Sequence, residues 1–342
     1  MATPSPLPPP PPPPTVNLWV VLTESKRIIN AHSRHFLALS LLFLLPISFP
    51  ITVYPSVSLL LNNQSSPSHT TLSLLRQPPN ADGIDPKTIL LLLIAYIVFV
   101  TVFNLLSIGS ITYSIFQGFY GRPVKLIPAV KSSFTSFLPL LATLVSFNSI
   151  VFAILLILAL AAFSLTRVIE LVVPSLDAST YFQALSAVVI LIFVAVVMKL
   201  YISWILAWAI VVVESSWGLT PLKRSRGLVK GMERVSLSMI VVFSIAQSSM
   251  VWISTVIAAS DIGNGGKMWT NAFFVVQIVI TSALLTGLML YNLAGTTVMY
   301  MYCKAVHGEL AWEIAEEFAR EYVSLPFDDG KVPHVVSVSY NG

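Results

Sequence analysis

The chain has 342 residues, of which 56% are hydrophobic and only 10% charged, with a formal net charge of +4 and a mean hydropathy of +0.83. Soluble domains carry roughly 25% charged residues, so this composition excludes an ordinary soluble enzyme or nucleic-acid-binding domain. It points to an all-α, polytopic membrane protein. A single cysteine, Cys303, excludes an intrachain disulfide.

Residues 1–15 include an unbroken proline run, Pro8 to Pro14. Such a tract adopts polyproline II and forms no core, so it reads as a disordered tail. It also offers a ligand to cytosolic proteins of the SH3, WW or profilin type. It does not resemble a signal peptide, which leaves the first apolar run as an uncleaved anchor. Residues 16–35 read as an amphipathic interfacial helix: Leu18, Leu22 and Ile29 share a side, Glu24, Lys26, Arg27 and Arg34 punctuate it, and Trp19 suits the headgroup level.

A span needs roughly 20 apolar residues to cross a bilayer. Six runs qualify, 36–58, 88–116, 137–165, 182–213, 235–260 and 270–302, which makes 36–302 a six-helix membrane domain. The first carries Pro46, Pro50 and Pro55 and is expected to kink or end early. Gly109, Gly287 and Gly295 offer close helix contacts.

Loop charge sets the orientation. One side has Lys26, Arg27, Arg34, Arg122, Lys125, Lys131, Lys223, Arg224, Arg226, Lys230 and Arg234, with Lys304, Arg320 and Lys331 in the tail. The other has Arg76, Lys87, Arg167 and Lys267. Basic loops face the cytosol, so both termini are expected there, in the endomembrane system or plasma membrane. The loop 62–86 then faces away from the cytosol, and its sequon Asn63-Gln64-Ser65 makes Asn63 a glycosylation candidate. Residues 303–323 form a C-terminal amphipathic helix, with Leu310, Ile314 and Phe318 opposite Glu313, Glu316, Glu317, Arg320 and Glu321. It is suited to the protein's own basic loops or to a partner helix. Residues 324–342 read as disordered.

Lys199 lies inside the fourth run. An intramembrane charge is a functional candidate by default, although the run is long enough for Lys199 to snorkel toward the headgroups. Asn104, Asn148, Gln247, Gln277 and Asn292 are the other polar groups considered within spans, and helix–helix hydrogen bonding accounts for them. Cys303 and His307 share a helical face but are two ligands where a metal site needs at least three, so no metal and no cofactor is expected. No Walker loop, nucleophile elbow, zincin or paired-cysteine motif is present; the expectation is a non-enzyme.

The most basic short segment is 214–234. With Thr220 as N-cap and Pro221 in the first turn, winding at 100° per residue puts Lys223, Arg226, Lys230 and Arg234 within about 80°. Leu222, Ser225, Leu228, Val229 and Met232 fall opposite. Lys223, Arg224, Arg226, Lys230 and Arg234 are thus candidates for binding anionic lipid headgroups, or simply a topology signal. Gly227 and Gly231 weaken this helix. Ala129-Val-Lys131-Ser-Ser aligns with Pro221-Leu-Lys223-Arg-Ser225, and Tyr120-Gly121 with Trp217-Gly218, which is consistent with a duplicated span–loop–span unit.

The pattern Glu214…Gly218-x-x-x-Leu222-Lys223-x-Ser225-x-x-Leu228-x-x-Gly231, with the exit Cys303-Lys304-x-x-His307-Gly308-Glu309, resembles a plant family of multi-pass proteins of unknown function. Some of its members carry the automatic name "polyadenylate-binding protein 1-B-binding protein". The first pattern is also similar to the membrane domain found beside bacterial glycerophosphodiester phosphodiesterases. The resemblance implies a six-span membrane domain and transfers no catalytic residue, because the soluble phosphodiesterase domain is missing. The expected function is a scaffold or regulator whose basic loops contact headgroups or partners. The alternatives are a small-solute transporter or channel built from a repeated two-helix unit, and a lipid-modifying enzyme.

Overall fold

A computed structural model describes residues 16–65, 86–172, 178–263 and 272–323. The proline tail, most of the loop after the first span and the tail from 324 lie outside these residues, as does the Asn63 side chain. Every described element is helical: α1 (Leu18–Ala31), α2 (Ser33–Leu39), α3 (Leu45–Ser65), α4 (Pro86–Phe119), α5 (Leu126–Val172), α6 (Ala178–Trp204), α7 (Ala207–Glu214), α8 (Leu219–Val229), α9 (Glu233–Gly263), α10 (Ala272–Val306) and α11 (Glu309–Val323). Six segments are long and apolar enough to cross a membrane: Ser33–Tyr54, Leu90–Phe119, Leu126–Val168, Leu185–Glu214, Glu233–Ile257 and Ala272–Val306. The chain is an integral, multi-pass helical membrane protein.

The first span does not end at its prolines. A π-helical turn, Ser40–Leu44, joins α2 to α3 immediately before Pro46. A wider turn leaves room for a proline ring that would otherwise strike the preceding carbonyl. Polar side chains then tie α3 to its neighbours. Ser48 and Thr286 share a hydrogen bond of 2.7 Å, Thr52 and Ser282 another of 2.7 Å, and Ser254 Oγ donates to the Thr52 carbonyl at 3.1 Å. The partners step four residues forward on α3 and four back on α10, as antiparallel helices require. Close approach elsewhere relies on glycine: a Cβ on Gly109 would stand 2.8 Å from Ser133 Cα, and one on Gly295 2.8 Å from Met239 Cε. Gly287 faces open space, whereas Gly118, which carries no distinguishing sequence signal, receives Ile28.

The duplicated unit extends to a third copy. On α8, Pro221, Ser225, Leu228 and Val229 are buried. On α1, Val21, Ser25, Ile28 and Ile29 are buried at the same spacing, and at the start of α5 Ala129, Ser133 and Ser136 follow it. The chain is therefore three successive units, each a short helix followed by two spans. The second span of each unit ends in a glycine with positive φ: Gly121 at 68°, Gly218 at 72° and Gly308 at 75°. At such a turn an L side chain would be strained. The packing is cyclic. α8 lies on α6, α7 and α5 from the preceding unit and on α10 of its own. α1 lies on α10 and α9, the last unit, and on α4 of its own. The short helices thus form a collar around the basic end of the bundle. Burial of α4, α5 and the α6–α7 span concentrates at that end, where Leu105, Ile111, Ile115, Leu140, Leu206 and Ile210 are closed off.

α1 lies against the bundle rather than on lipid alone, because Val21, Ile28 and Ile29 have α10 and α4 to cover them; Trp19 stays 76% exposed.

Candidate functional site

Two features stand out, a charged clamp on the collar and a polar cavity beneath it.

The clamp centres on Arg224. Its Nε donates to Glu214 Oε2 at 2.7 Å, and its Nη2 to Glu309 Oε2 at 2.6 Å. Glu214 also accepts from the Tyr300 hydroxyl at 2.8 Å. Arg224 thus joins the last residue of α7 to the first residue of α11. Beside it, Lys304 pairs with Glu313 at 2.8 Å and lies over the Tyr300 ring. The hydrogen bonds to Glu214, and then to Glu309, raise the Arg224 pKa above its already high ordinary value. Arg224 therefore leaves the headgroup set: a guanidinium shared by two carboxylates of its own chain has no free donor fork to offer a phosphate.

α8 is fixed from beneath as well. Ser225 Oγ donates to the Ser203 carbonyl at 2.8 Å, beside the break between α6 and α7 where the helical ladder is interrupted. The Gly218 amide donates to Thr143 Oγ1 at 3.2 Å. The N-cap is Gly218, not Thr220, and no side chain caps it. Positive φ at Gly218 turns the chain sharply enough that Thr220 already lies within the first helical turn. α8 ends at Val229, and Gly231 at φ 90° redirects the chain into α9. The arc expected from one continuous helix is therefore split: Lys223, Arg226 and Lys230 remain exposed along α8 and its cap, and Arg234 is exposed on the first turn of α9. Leu222, Ser225, Leu228, Val229 and Met232 are all buried. Trp217, 68% exposed, lies at the head of this ridge.

The cavity has a volume of about 360 Å³ and is lined by five of the six spans. Three of the five carboxamides singled out in the apolar runs converge on it: Asn104 from α4, Gln247 from α9 and Asn292 from α10. The other two are satisfied within their own helices, Asn148 on the Leu144 carbonyl at 2.9 Å and Gln277 on Thr281 Oγ1 at 3.2 Å. None of the five bonds across helices among the described residues, contrary to the sequence expectation. An aromatic wall completes the cavity: Phe147 packs edge-on against Trp204, with centroids 5.5 Å apart, and against Tyr201, with Trp208 alongside. By helical rise the three carboxamides lie about 21–23 Å from the basic ends of their helices. No lining residue is Asp, Glu, Lys, Arg or His.

Lys199 does not line this cavity. It lies on the exposed side of α6, and among the described residues only its backbone carbonyl is engaged, by Ser203. Sequence reading missed the aromatic wall, since Trp and Tyr in an apolar run carry no signal of where they point. Cys303 and His307 do not act as a pair: the thiol packs against Met232 Sδ at 3.5 Å, and the imidazole meets the Cys303 carbonyl at 2.8 Å. Among the described residues no three His, Cys, Asp or Glu side chains group as metal ligands.

No curated protein and no solved structure matches the chain. Residues 15–329 match the model of the family described as a domain of unknown function, DUF8558, and the chain belongs to that family.

Proposed function

We propose that the protein is a non-enzymatic membrane scaffold or regulator whose basic cytosolic collar contacts anionic lipid headgroups. The observation that carries this reading is the division of labour on α8: its apolar face is buried, Arg224 is consumed by internal ion pairs, and Lys223, Arg226 and Lys230 are left exposed beside Trp217. A helix fixed in this way presents its charges without losing side-chain packing, and each basic residue near an anionic surface is worth about 1 kcal/mol. Both termini then face the cytosol, in the endomembrane system or plasma membrane. There the proline tail and the outer side of α11, with Trp312 at 77% exposure, are available to cytosolic proteins.

The test uses the full chain in vesicles containing brominated phosphatidylserine or brominated phosphatidylcholine. The Trp217 contribution to fluorescence is isolated by difference from Trp217→Phe. Phosphatidylserine should quench Trp217 more strongly, and the triple change Lys223→Glu, Arg226→Glu, Lys230→Glu should abolish that preference. Equal quenching by both lipids in the unaltered protein would refute headgroup selection. Protease protection placing the two tails on opposite sides would refute the topology.

The second reading, a transporter or channel, draws its support from the cavity and the repeated unit. Its test is solute flux in proteoliposomes with Asn292→Leu, and flux unchanged for every candidate solute would remove the cavity from any transport path.

A further inference from the structure

We infer that the axial cavity is a binding site for a neutral lipid bearing one or two hydroxyl or carbonyl groups. The three units place their second spans around it in equivalent register. To within one residue, Asn104, Tyr201 and Asn292 stand at matching distances before the turn glycines Gly121, Gly218 and Gly308, and all three line the cavity. One helical turn closer to those glycines, Ile108, Ile205 and Thr296 form the next layer. The cavity is therefore a feature of the repeat's axis and not a packing defect at one joint.

Its size lies within the roughly 300–1,000 Å³ of small-molecule pockets, which combine an apolar or aromatic body with a few convergent polar groups. Here the body is the Phe147, Trp204 and Trp208 wall. The polar groups are Asn104, Gln247 and Asn292, whose side chains have no hydrogen-bond partner among the described residues. An unpartnered carboxamide at this depth is costly unless something occupies the site. It offers both donors and an acceptor, which is what a hydroxyl or carbonyl needs.

Charge decides the class. With no ionisable Asp, Glu, Lys, Arg or His in the lining, a phosphate, carboxylate or ammonium would be left uncompensated within the hydrocarbon layer. Access decides between a lipid and a water-soluble solute. Asn104, Tyr201 and Ser244 are exposed at the mouth. Beyond it the far halves of α4, α5 and α6 present mostly apolar side chains, among them Val98, Phe152, Leu156, Leu191 and Val194. That route suits a molecule already dissolved in the bilayer.

The experiment is photolabelling of the full chain in nanodiscs with three diazirine probes, a sterol, a diacylglycerol and a fatty acid, followed by peptide mapping. At least one neutral probe should label Tyr201–Ala209 or Asn292–Thr297 at least tenfold above the charged fatty acid. Ser244→Trp, which fills the mouth, should cut this labelling at least tenfold, and Asn292→Leu at least fivefold, while Leu156→Trp on the outer face leaves it unchanged. All variants are checked for monodisperse elution, and a variant that fails is replaced by Thr296→Trp. Labelling that never exceeds the fatty-acid level at the axial peptides, or that survives Ser244→Trp or Thr296→Trp, would overturn the inference.

Discussion

Replacing Arg224 by methionine removes the guanidinium and keeps most of its aliphatic length. Two arms are lost. The Glu309 arm joins groups that are 38% and 36% exposed, and water screens such a pair to about 0.2–1 kcal/mol. The Glu214 arm is drier on the acceptor side, at 21% exposure. Losing that charge-assisted bond leaves Glu214 with the Tyr300 hydroxyl alone, at a cost of about 1–2 kcal/mol after discounting for the exposed guanidinium. The sum is about 1.2–3 kcal/mol. The assay is built into the chain: Cys303 is its only cysteine and is fully buried, so thiol labelling during denaturant titration reports opening of the basic end. Glu214→Gln completes a double-mutant cycle with an expected coupling of about 1 kcal/mol, whereas Lys223→Ala, exposed one position away, should stay within about 0.5 kcal/mol of the parent. The arginine arm gives no pH dependence in any workable range. A raised pKa contributes stability that is fully present below the ordinary arginine value and is lost only as pH climbs through the still higher folded value. Additive substitutions, with coupling below about 0.3 kcal/mol, would show that Arg224 does not tie α8 to Glu214 at the end of α7.

Gly109→Leu sets a Cβ 2.8 Å from the Ser133 backbone, so α4 and α5 must separate; denaturant titration should show a loss of about 2 kcal/mol or more, while Gly287→Ala, facing open space, should cost nothing. Gly218→Ala should destabilise by about 1 kcal/mol because φ is 72°, whereas Gly227→Ala inside α8, with no neighbour within 4 Å, should stabilise by up to about 1 kcal/mol. Ser282→Ala and Thr286→Val should each cost about 0.6 kcal/mol, the typical strength of a hydrogen bond between membrane helices, measured by the same titration.

The sequence made some of this legible because some features depend on short-range geometry alone. Apolar run length located six spans, since the bilayer sets one thickness for all of them. Winding separated Leu222, Ser225, Leu228, Val229 and Met232 from Lys223, Arg226 and Lys230, because helical period needs no tertiary information. The same winding could not say what covers the apolar side. For α1 the cover is α10 and α4 rather than lipid, and an apolar stripe forms in the same way against either medium. Arg224 was indistinguishable from its basic neighbours because Glu309, which takes up one arm of its guanidinium, is distant in sequence and arrives only when α11 folds back. The cavity was half visible: Asn104, Gln247 and Asn292 stood out as polar groups in apolar runs, but convergence is a property of packing. The third repeat was hidden because its identity is too low. What recurs is a buried serine, Ser25, Ser133 and Ser225, and a burial rhythm that many sequences satisfy.

That repeat explains where the molecule departs from symmetry. The position held by Arg224 on α8 is Glu24 on α1, where the carboxylate pairs with Arg27 one turn along the same helix and, among the described residues, bridges to no second helix. At the start of α5 it is Ser132, and the short helix runs without a break into the span, through Pro139. Only the third unit combines an arginine at this position with a carboxylate at the end of the preceding span and a further helix beyond. That further helix, α11, is a fourth short helix; the place it would take in the ring is held by α1. It docks instead through Glu309 and Glu313 onto Arg224 and Lys304. The clamp thus lies where a cyclic arrangement has one helix too many, and Lys223, Arg226 and Lys230 stay exposed beside it.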